Sequence, residues 1–571
     1  MVADATPTVV PHRRTLRAMP VEAIPLQGYR HTNLAQIMAN TMDLPFVART
    51  LAKRGLLNPG RPDRVVRQLN SLRRWGFTLA GEVRAAAARD PDLPAVIDEH
   101  RTISYRVLLD RARRLGVRLA ETYRIRAHDR VALMCGNHAG MLEAMIACSV
   151  IGADVVLVNT ALSAPQIRSI IVQHDVTLLI HDDEFTPFAA LLRCARLDET
   201  GIADLIDATP SVTADSYSRD GRVIVLTSGT TGSPKGARRP NPAGVEPLCA
   251  IIDRIPLRRH QRMSIAAPMF HTWGYAALQL ALATRGTVVL RRRFDPESCI
   301  ADIDVHDCTS LFAVPVMLQR LLESARRPAR PPRIVAVSGS ALTGDLAAAF
   351  MGAWGESLFN LYGSTEASWA TIATPSDLRD SPGTVGRPPH GTRIAIVDPD
   401  GRPVPTGQVG EICVANDMLF DGYIGGGRGR RTPDGLLATG DLGHVDSRGF
   451  VFVDGRDDDM VVSGGENVFP RPVEELIGSF PEVREVAVVG VPDSDFGQRL
   501  AAYVVLRTGR RLSSDEVRTR VRQRLARFSV PRDVHFVPEL PRTATGKVAP
   551  RLLPWPAGSQ PPRRRPTAGG P

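Results

Sequence analysis

The chain is predicted to be an α/β protein, a large N-terminal part followed by a smaller unit. Its 571 residues exceed what one ordinary core supports, so two or more domains are expected. Short apolar runs alternate with longer helical patterns, which implies βαβ units and largely parallel sheet. Between about 383 and 457 that alternation gives way to short strands separated by Gly and Pro, the mark of a small β-rich subdomain.

Taken in order, residues 1–75 read as an extension of proline-separated pieces. Within it, 34–57 predicts short amphipathic helices with Ile37, Met38, Leu44, Phe46, Val47 and Leu51 as apolar positions. Strand–helix alternation then runs through 130–135, 138–151, 155–158, 165–174 and 176–181. It resumes with strand 309–314, helix 315–324, strand 334–338, helix 344–354 and strand 357–361. Short strands are expected at 392–397, 410–414 and 450–453. A last unit from about 459 has strands at 486–491, 500–506 and 534–537 and a helix at 513–527. The Pro/Arg-rich residues 551–571 read as a disordered tail.

Charge is uneven. The net +11 resides in the ends: 1–75 carries +8, 551–571 carries +4, and the middle is nearly neutral at −1. A neutral body argues against nucleic-acid binding, while a basic, amphipathic extension is expected to touch an anionic membrane surface. The seven cysteines are odd in number, with no C-x-x-C pair or zinc-like spacing, which suits reduced thiols in a cytoplasmic protein. No continuous apolar leader begins the sequence, and the most apolar stretch, 141–158, is broken by Glu143 and Asp154.

Only three of the 71 basic residues are lysine, and two of them sit in distinctive stretches. Lys235 lies in LTSGTTGSPKG, 226–236, and Lys547 in PRTATGK, 541–547. A lysine ammonium is a compact, mobile point charge, whereas arginine is a planar fork for fixed grips. In the first stretch an apolar strand runs into Thr227, Ser228, Gly229, Thr230, Thr231 and Gly232. Glycines there let backbone approach an anion, hydroxyls add donors, and Lys235 adds charge. This is a polyphosphate cradle, yet it lacks the G-K-[ST] of a Walker loop.

Four further stretches follow in sequence: YGSTE at 362–366, TGDLG at 439–443, GRDDDMVVSGGENVFP at 455–470 and the PRTATGK already quoted. With the loop they resemble the ordered signatures of the ATP-dependent adenylate-forming superfamily, which contains acyl-CoA synthetases, peptide-synthetase adenylation domains and firefly luciferase. The resemblance covers about 76–550. It implies a large N-terminal domain, 76–457, of two βα-layered subdomains plus a small β-barrel-like one. A small mobile α+β domain, 458–550, would follow.

The resemblance also implies roles. Thr365 would contact phosphate and Glu366 would ligate Mg²⁺ on ATP. Tyr362 and Gly363 would border the nucleotide, Gly339 and Ser340 would lie along the adenine, and Asp441 and Arg456 would hold the ribose. Asp458 would be the hinge. Lys547 would bridge the substrate carboxylate and the α-phosphate while the acyl-adenylate forms. Gly464 and Gly465 would wall the channel for the coenzyme A thiol. His271, in MFHTWG at 269–274, would border the acyl and thiol pockets, with Trp273 as a gate. Where peptide-synthetase domains carry an Asp to hold an amine, this chain has His271 and Thr272, so an amino-acid substrate is not expected.

The expected activity is ATP-dependent activation of a medium- or long-chain fatty acid and its transfer to coenzyme A. Alternatives are loading of a carrier protein, an aryl- or sterol-acid–CoA ligase, and a non-catalytic nucleotide-binding scaffold at a membrane.

Overall fold

The computed structural model describes residues 43–554 except 191, 213–220, 228–234, 457–460, 464–465, 494–496, 526 and 544–545. Two mixed, mostly parallel sheets form the large part. In the seven-stranded one, Arg130–Met134 pairs in parallel with Asp154–Leu157 and Val176–His181, and Asp154–Leu157 pairs in parallel with Val223–Thr227. The chain then turns back as Lys235–Arg238, antiparallel to Val223–Thr227. In the eight-stranded sheet, Arg262–Ile265, Ser310–Ala313, Ile334–Val337 and Leu358–Tyr362 run parallel, and antiparallel strands close both edges.

One apolar core draws residues from both sheets, including Val131, Leu133, Val288 and Leu311. The helix Ala139–Ile151 belongs to it and is buried along its whole length, which explains why 141–158 is the most apolar stretch of the chain. Among the described residues no helix is long and apolar enough to cross a membrane.

The β-rich stretch is a four-stranded antiparallel sheet, Arg393–Val397, Gly410–Ala415, Leu437–Val445 and Val451–Arg456. The last unit has a five-stranded sheet with helices Pro470–Gly478 and Ser514–Arg522, so the α/β and α+β architecture is as expected. The second of these helices is shorter than the predicted 513–527. It starts at a capping box between Ser513 and Glu516 and ends at Gln523, with a separate 3₁₀ turn at Arg527–Ser529.

The described part of the extension packs on the body. Leu44–Lys53 buries Phe46 and Val47 beside Cys249, and Phe46 stacks on His390 at 3.8 Å between ring centroids. Arg54 donates from Nε to the Ile252 carbonyl at 2.8 Å. Pro62–Trp75 buries no residue of its own and leaves Val66 and Leu69 exposed. Ile37, Met38 and the tail 555–571 lie outside the described residues.

Sequence spacing misses one polar cluster. The parallel register Met134↔His181 sets Cys135 and His138 beside Asp182, and ligand atoms of the three come within 4.8 Å of one another. His138 Nε2 lies 2.9 Å from Asp182 Oδ1, and the Arg292 guanidinium is 2.9 Å from Asp182 Oδ2. The Arg292 cation already occupies the carboxylate, so this is an ion network just past the carboxyl ends of two interior strands.

Candidate active site

The strand Val223–Thr227 leaves its sheet at the carboxyl end, where open α/β sheets bind ligands. The loop residues Ser228, Gly229, Thr230, Thr231 and Gly232 lie outside the described residues. The chain re-enters at Lys235, which pairs across from Thr227. Lys235 Nζ lies 5.6 Å from the centroid of the Tyr423 ring. The Tyr423 hydroxyl donates to Glu366 Oε1 at 2.7 Å. Tyr423 thus ties the lysine of one motif to the carboxylate of another, a link no local pattern announces.

The YGSTE turn follows Leu358–Tyr362. Gly363 is required by a close approach: a Cβ there would sit 2.5 Å from the Ser368 carbonyl oxygen. Thr365 Oγ1 is 2.9 Å from Thr272 Oγ1, and the Thr365 carbonyl accepts from Arg239 Nη1 at 3.0 Å. Tyr362, at the strand end, donates its hydroxyl to Asp441 Oδ2 at 2.6 Å. Burial first, and the Asp441 charge second, push this phenol well above its usual pKa, so it stays a donor. Asp441 stands opposite Arg456 in the antiparallel pair, and Arg456 Nη1 reaches Asp441 Oδ1 at 3.2 Å. Thr439, Tyr362, Asp441 and Arg456 all line one cleft of about 2580 Å³.

His271 caps the helix Thr272–Ala283. Burial, and next the nearby Lys547 charge, lower its pKa to about 4, so the imidazole is neutral at physiological pH. Gly339, φ +93°, faces it: a Cβ there would lie 3.6 Å from His271 Cε1. Gly339 and Ser340 line the same cleft. Trp273 lines the cleft, is buried, and donates from Nε1 to the Ala313 carbonyl at 3.0 Å.

Lys547 arrives from the last unit on a tight turn. Thr543 N–H donates to the Lys547 carbonyl at 2.7 Å, and Gly546 N–H to the Thr543 carbonyl at 2.8 Å. Arg542 braces the turn with Nη1 on the Gly546 carbonyl and Nη2 on Glu485, both at 2.6 Å. Gly546 has φ +80°, and a Cβ there would meet Val316 Cγ1 of the large part at 2.5 Å. The turn docks against Pro315–Glu323, and Arg484 Nε pairs with Glu323 at 3.2 Å beside it. Gly546→Ala is therefore expected to slow adenylate formation about tenfold through left-handed strain and this contact, with little change in melting temperature. An unchanged rate of acid-dependent pyrophosphate release would contradict that docking.

Lys235, Thr365, Glu366, Asp441, Arg456, His271 and Lys547 therefore border one space. Asp458, Gly464 and Gly465 lie outside the described residues. Sequence reading missed Tyr423 and Arg239, which come from segments without a motif, and Arg542, which lies in the PRTATGK stretch but was given no role. Glu366 and Thr365 both line the cleft, the one with a carboxylate and the other with a hydroxyl. One carboxylate next to a polyphosphate is the donor set that suits Mg²⁺, which retains most of its waters.

Comparison with known proteins agrees with this geometry. A family model described as AMP-binding enzyme matches residues 83–424, and one for the AMP-binding enzyme C-terminal domain matches 472–547. The chain belongs to the AMP-binding enzyme family. It is 32% identical over 475 residues to a feruloyl-CoA synthase of Amycolatopsis sp, covering 81% of this chain and 95% of that one. It is 31% identical over 485 residues to an indoleacetate–CoA ligase of Aromatoleum aromaticum, covering 81% and 94%. Among solved structures, o-succinylbenzoate CoA synthetase from Bacillus subtilis, in complex with its acyl-adenylate intermediate, superposes with a TM-score of 0.73. That pair shares 28% identity and covers 82% and 96% of the two chains. This AMP-binding enzyme is an AMP-forming acid–CoA ligase working through an acyl-adenylate. Its substrates are a carboxylic acid, ATP and coenzyme A, with Mg²⁺ as the metal ion.

Proposed function

We propose that the acid is aromatic, an aryl or arylalkanoic carboxylic acid. The observation that carries this is the group of apolar side chains Phe270, Trp273, Leu248 and Ile251 that line the cleft together with His271. Apolar and aromatic side chains of this kind suit a flat ring. The relatives named above act on feruloyl, indoleacetate and succinylbenzoate groups, which supports the same reading.

The proposed sequence has two steps. A carboxylate oxygen attacks the α-phosphorus, the new P–O bond forms, and the bond to the bridging oxygen breaks to release pyrophosphate. Lys547 stands between the two anions as they meet, Lys235 and Thr365 follow the departing phosphates, and Asp441 with Arg456 holds the ribose. Mg²⁺ held by Glu366 would supply positive charge on the polyphosphate. The thiol of coenzyme A then loses its proton and attacks the carbonyl, and AMP leaves. For the second step the segment 458–550 is proposed to rotate about Asp458, withdrawing Lys547 and bringing Gly464 and Gly465 to the thiol path.

A second reading keeps the fatty acid. The cleft-facing stripe Ala276, Gln279, Leu280, Ala283 extends about 18 Å beyond His271 at helical rise, long enough for an alkyl chain. A panel of benzoic, cinnamic and indoleacetic acids against medium- and long-chain fatty acids decides. Pyrophosphate and thioester are followed with MgATP and coenzyme A. Aromatic acids are expected to lead in kcat/KM by at least tenfold; the reverse order would overturn the proposal in favour of fatty acids.

The His271 environment gives a pH prediction. The imidazole is neutral above about pH 4, so the first half-reaction is expected to show no inflection near the ordinary histidine value of 6.5. Removing the Lys547 charge takes away a neighbouring cation, so Lys547→Ala is expected to raise the His271 pKa, with burial still holding it below 6.5. Ring-proton NMR titration of both proteins checks the sign. A lower value in the variant would contradict the placement of Lys547.

A further inference from the structure

The helix Glu246–Arg254 supplies Leu248 and Ile251 to the cleft that His271 and Lys547 also line. These two, three residues apart, share one face of the helix, while Cys249 and Asp253, four apart, share another. Val245 stands at the N-cap and has no side-chain polar atom to cap it. The C-terminal end is short of donors too. Ile255 N–H bonds the Ile251 carbonyl at 2.8 Å, but Pro256 has no N–H for the Ile252 carbonyl. Leu257 N–H, next in line for Asp253, turns to the Ile255 carbonyl at 2.6 Å.

Arg54 fills both places from the extension. Its Nε donates to the Ile252 carbonyl at 2.8 Å and its Nη2 to the Asp253 carbonyl at 3.0 Å. Arg54 is 8% exposed, and a cation at a helix C-terminus is favoured by the helix dipole. The planar fork reaches two successive carbonyls at once, which a lysine ammonium on a flexible stem does not fix. Arg54 is itself held: its N–H donates to the Thr50 carbonyl at 3.0 Å, and its carbonyl accepts from Arg259 N–H at 3.2 Å. Along the back of the helix, Phe46 and Val47 pack on the buried Cys249, with Leu51 and Val245 beside them. His390 stacks on the Phe46 ring from the β-rich side.

The large sheet grips the same helix end by a second arginine. Arg254 Nη2 donates to the Ile372 carbonyl at 2.9 Å and to Asp377 Oδ2 at 2.6 Å. The helix end is thus tied on one side to the large sheet and on the other to the extension. The AMP-binding enzyme match begins at residue 83, so the second tie comes from a part of the chain outside it.

We propose that residues 43–54 brace the wall of the acid site, with Arg54 as a positioning residue. By fixing the end and back of the helix Glu246–Arg254, the brace sets where Leu248 and Ile251 stand and so which acid fits. It rests on the reading above that these two side chains border the acid, and it holds for an aromatic or an alkyl substrate.

The test uses the full-length enzyme with MgATP, coenzyme A and the acid of the panel that is turned over best. Arg54→Met is expected to raise the KM for that acid about five- to tenfold and to leave the KM for ATP within about twofold. The lead of that acid over the others in kcat/KM is expected to shrink as well. Arg54→Lys, which keeps the charge but not the fork, is expected to recover part of both. If Arg54→Met does not fold, Phe46→Ala is expected to shift the acid KM in the same direction. A lower melting temperature with acid KM and preference unchanged, in every variant that folds, would overturn the inference, since a merely structural contact gives that result. Equal rises in the KM for acid and for ATP would also overturn it. Leu248→Ala separates the inference from the reading beneath it. An altered acid KM there, with none in the Arg54 and Phe46 variants, would remove the brace alone. Unchanged acid kinetics in Leu248→Ala would remove the wall reading, and the inference with it.

Discussion

Replacing Lys547 with alanine is expected to slow acid-dependent pyrophosphate release by about a hundred- to a thousandfold. Thioester formation from supplied acyl-adenylate and coenzyme A is expected to stay within about threefold. The asymmetry follows from charge. In the first step a carboxylate approaches a phosphate, and a cation between them gains strength as the anions close. In the second step the thiol attacks a neutral carbonyl, and no anion pair forms at that position. Lys547 reaches the cleft on a turn pinned by Arg542 and by the close approach of Gly546 to Val316, so the turn is built for docking. Lys235, the lysine of the other motif, sits instead beside the Tyr423 ring. Stopped-flow measurement of both half-reactions on Lys547→Ala checks this. Equal loss of both would contradict the division.

Asp441→Ala is expected to raise the KM for ATP by about a hundredfold or more, with a smaller effect on kcat at saturation. Asp441 accepts from Tyr362 at 2.6 Å and from Arg456 at 3.2 Å, so both its oxygens are oriented before nucleotide arrives. Hydrogen bonds to a charged acceptor contribute about 1.5–3 kcal/mol each. Losing two to the ribose hydroxyls accounts for the expected change. The variant also leaves the buried Tyr362 hydroxyl without its best acceptor. Some loss of melting temperature is therefore expected, and Asp441→Asn, which keeps an acceptor, is expected to recover part of both. A KM for ATP unchanged in Asp441→Ala would exclude the ribose role.

The fold was legible where the pattern is periodic. The parallel strands Arg130–Met134 and Ile334–Val337 are continuous apolar runs because both faces are covered. The nucleotide-side residues were legible because each motif packs glycine, hydroxyl and charge within a few positions. What stayed hidden depends on partners far apart in sequence. Arg239 meets Thr365 126 residues away, and Tyr423 meets Glu366 57 residues away. The hydrogen bond from the Trp273 indole N–H to the Ala313 backbone, 40 residues away, was hidden for the same reason. The acid pocket was the least legible part, since its walls come from separate helices and loops with no shared spacing.

The central claim is that carboxylate oxygen attacks the α-phosphorus to give an acyl-adenylate, which coenzyme A then cleaves. It is tested most directly with an acid labelled by ¹⁸O in its carboxyl group, one that the panel shows to be turned over, together with MgATP and coenzyme A. The account predicts one ¹⁸O in AMP, unlabelled pyrophosphate and an acyl-CoA product. Label in inorganic phosphate with ADP as the nucleotide product would contradict it.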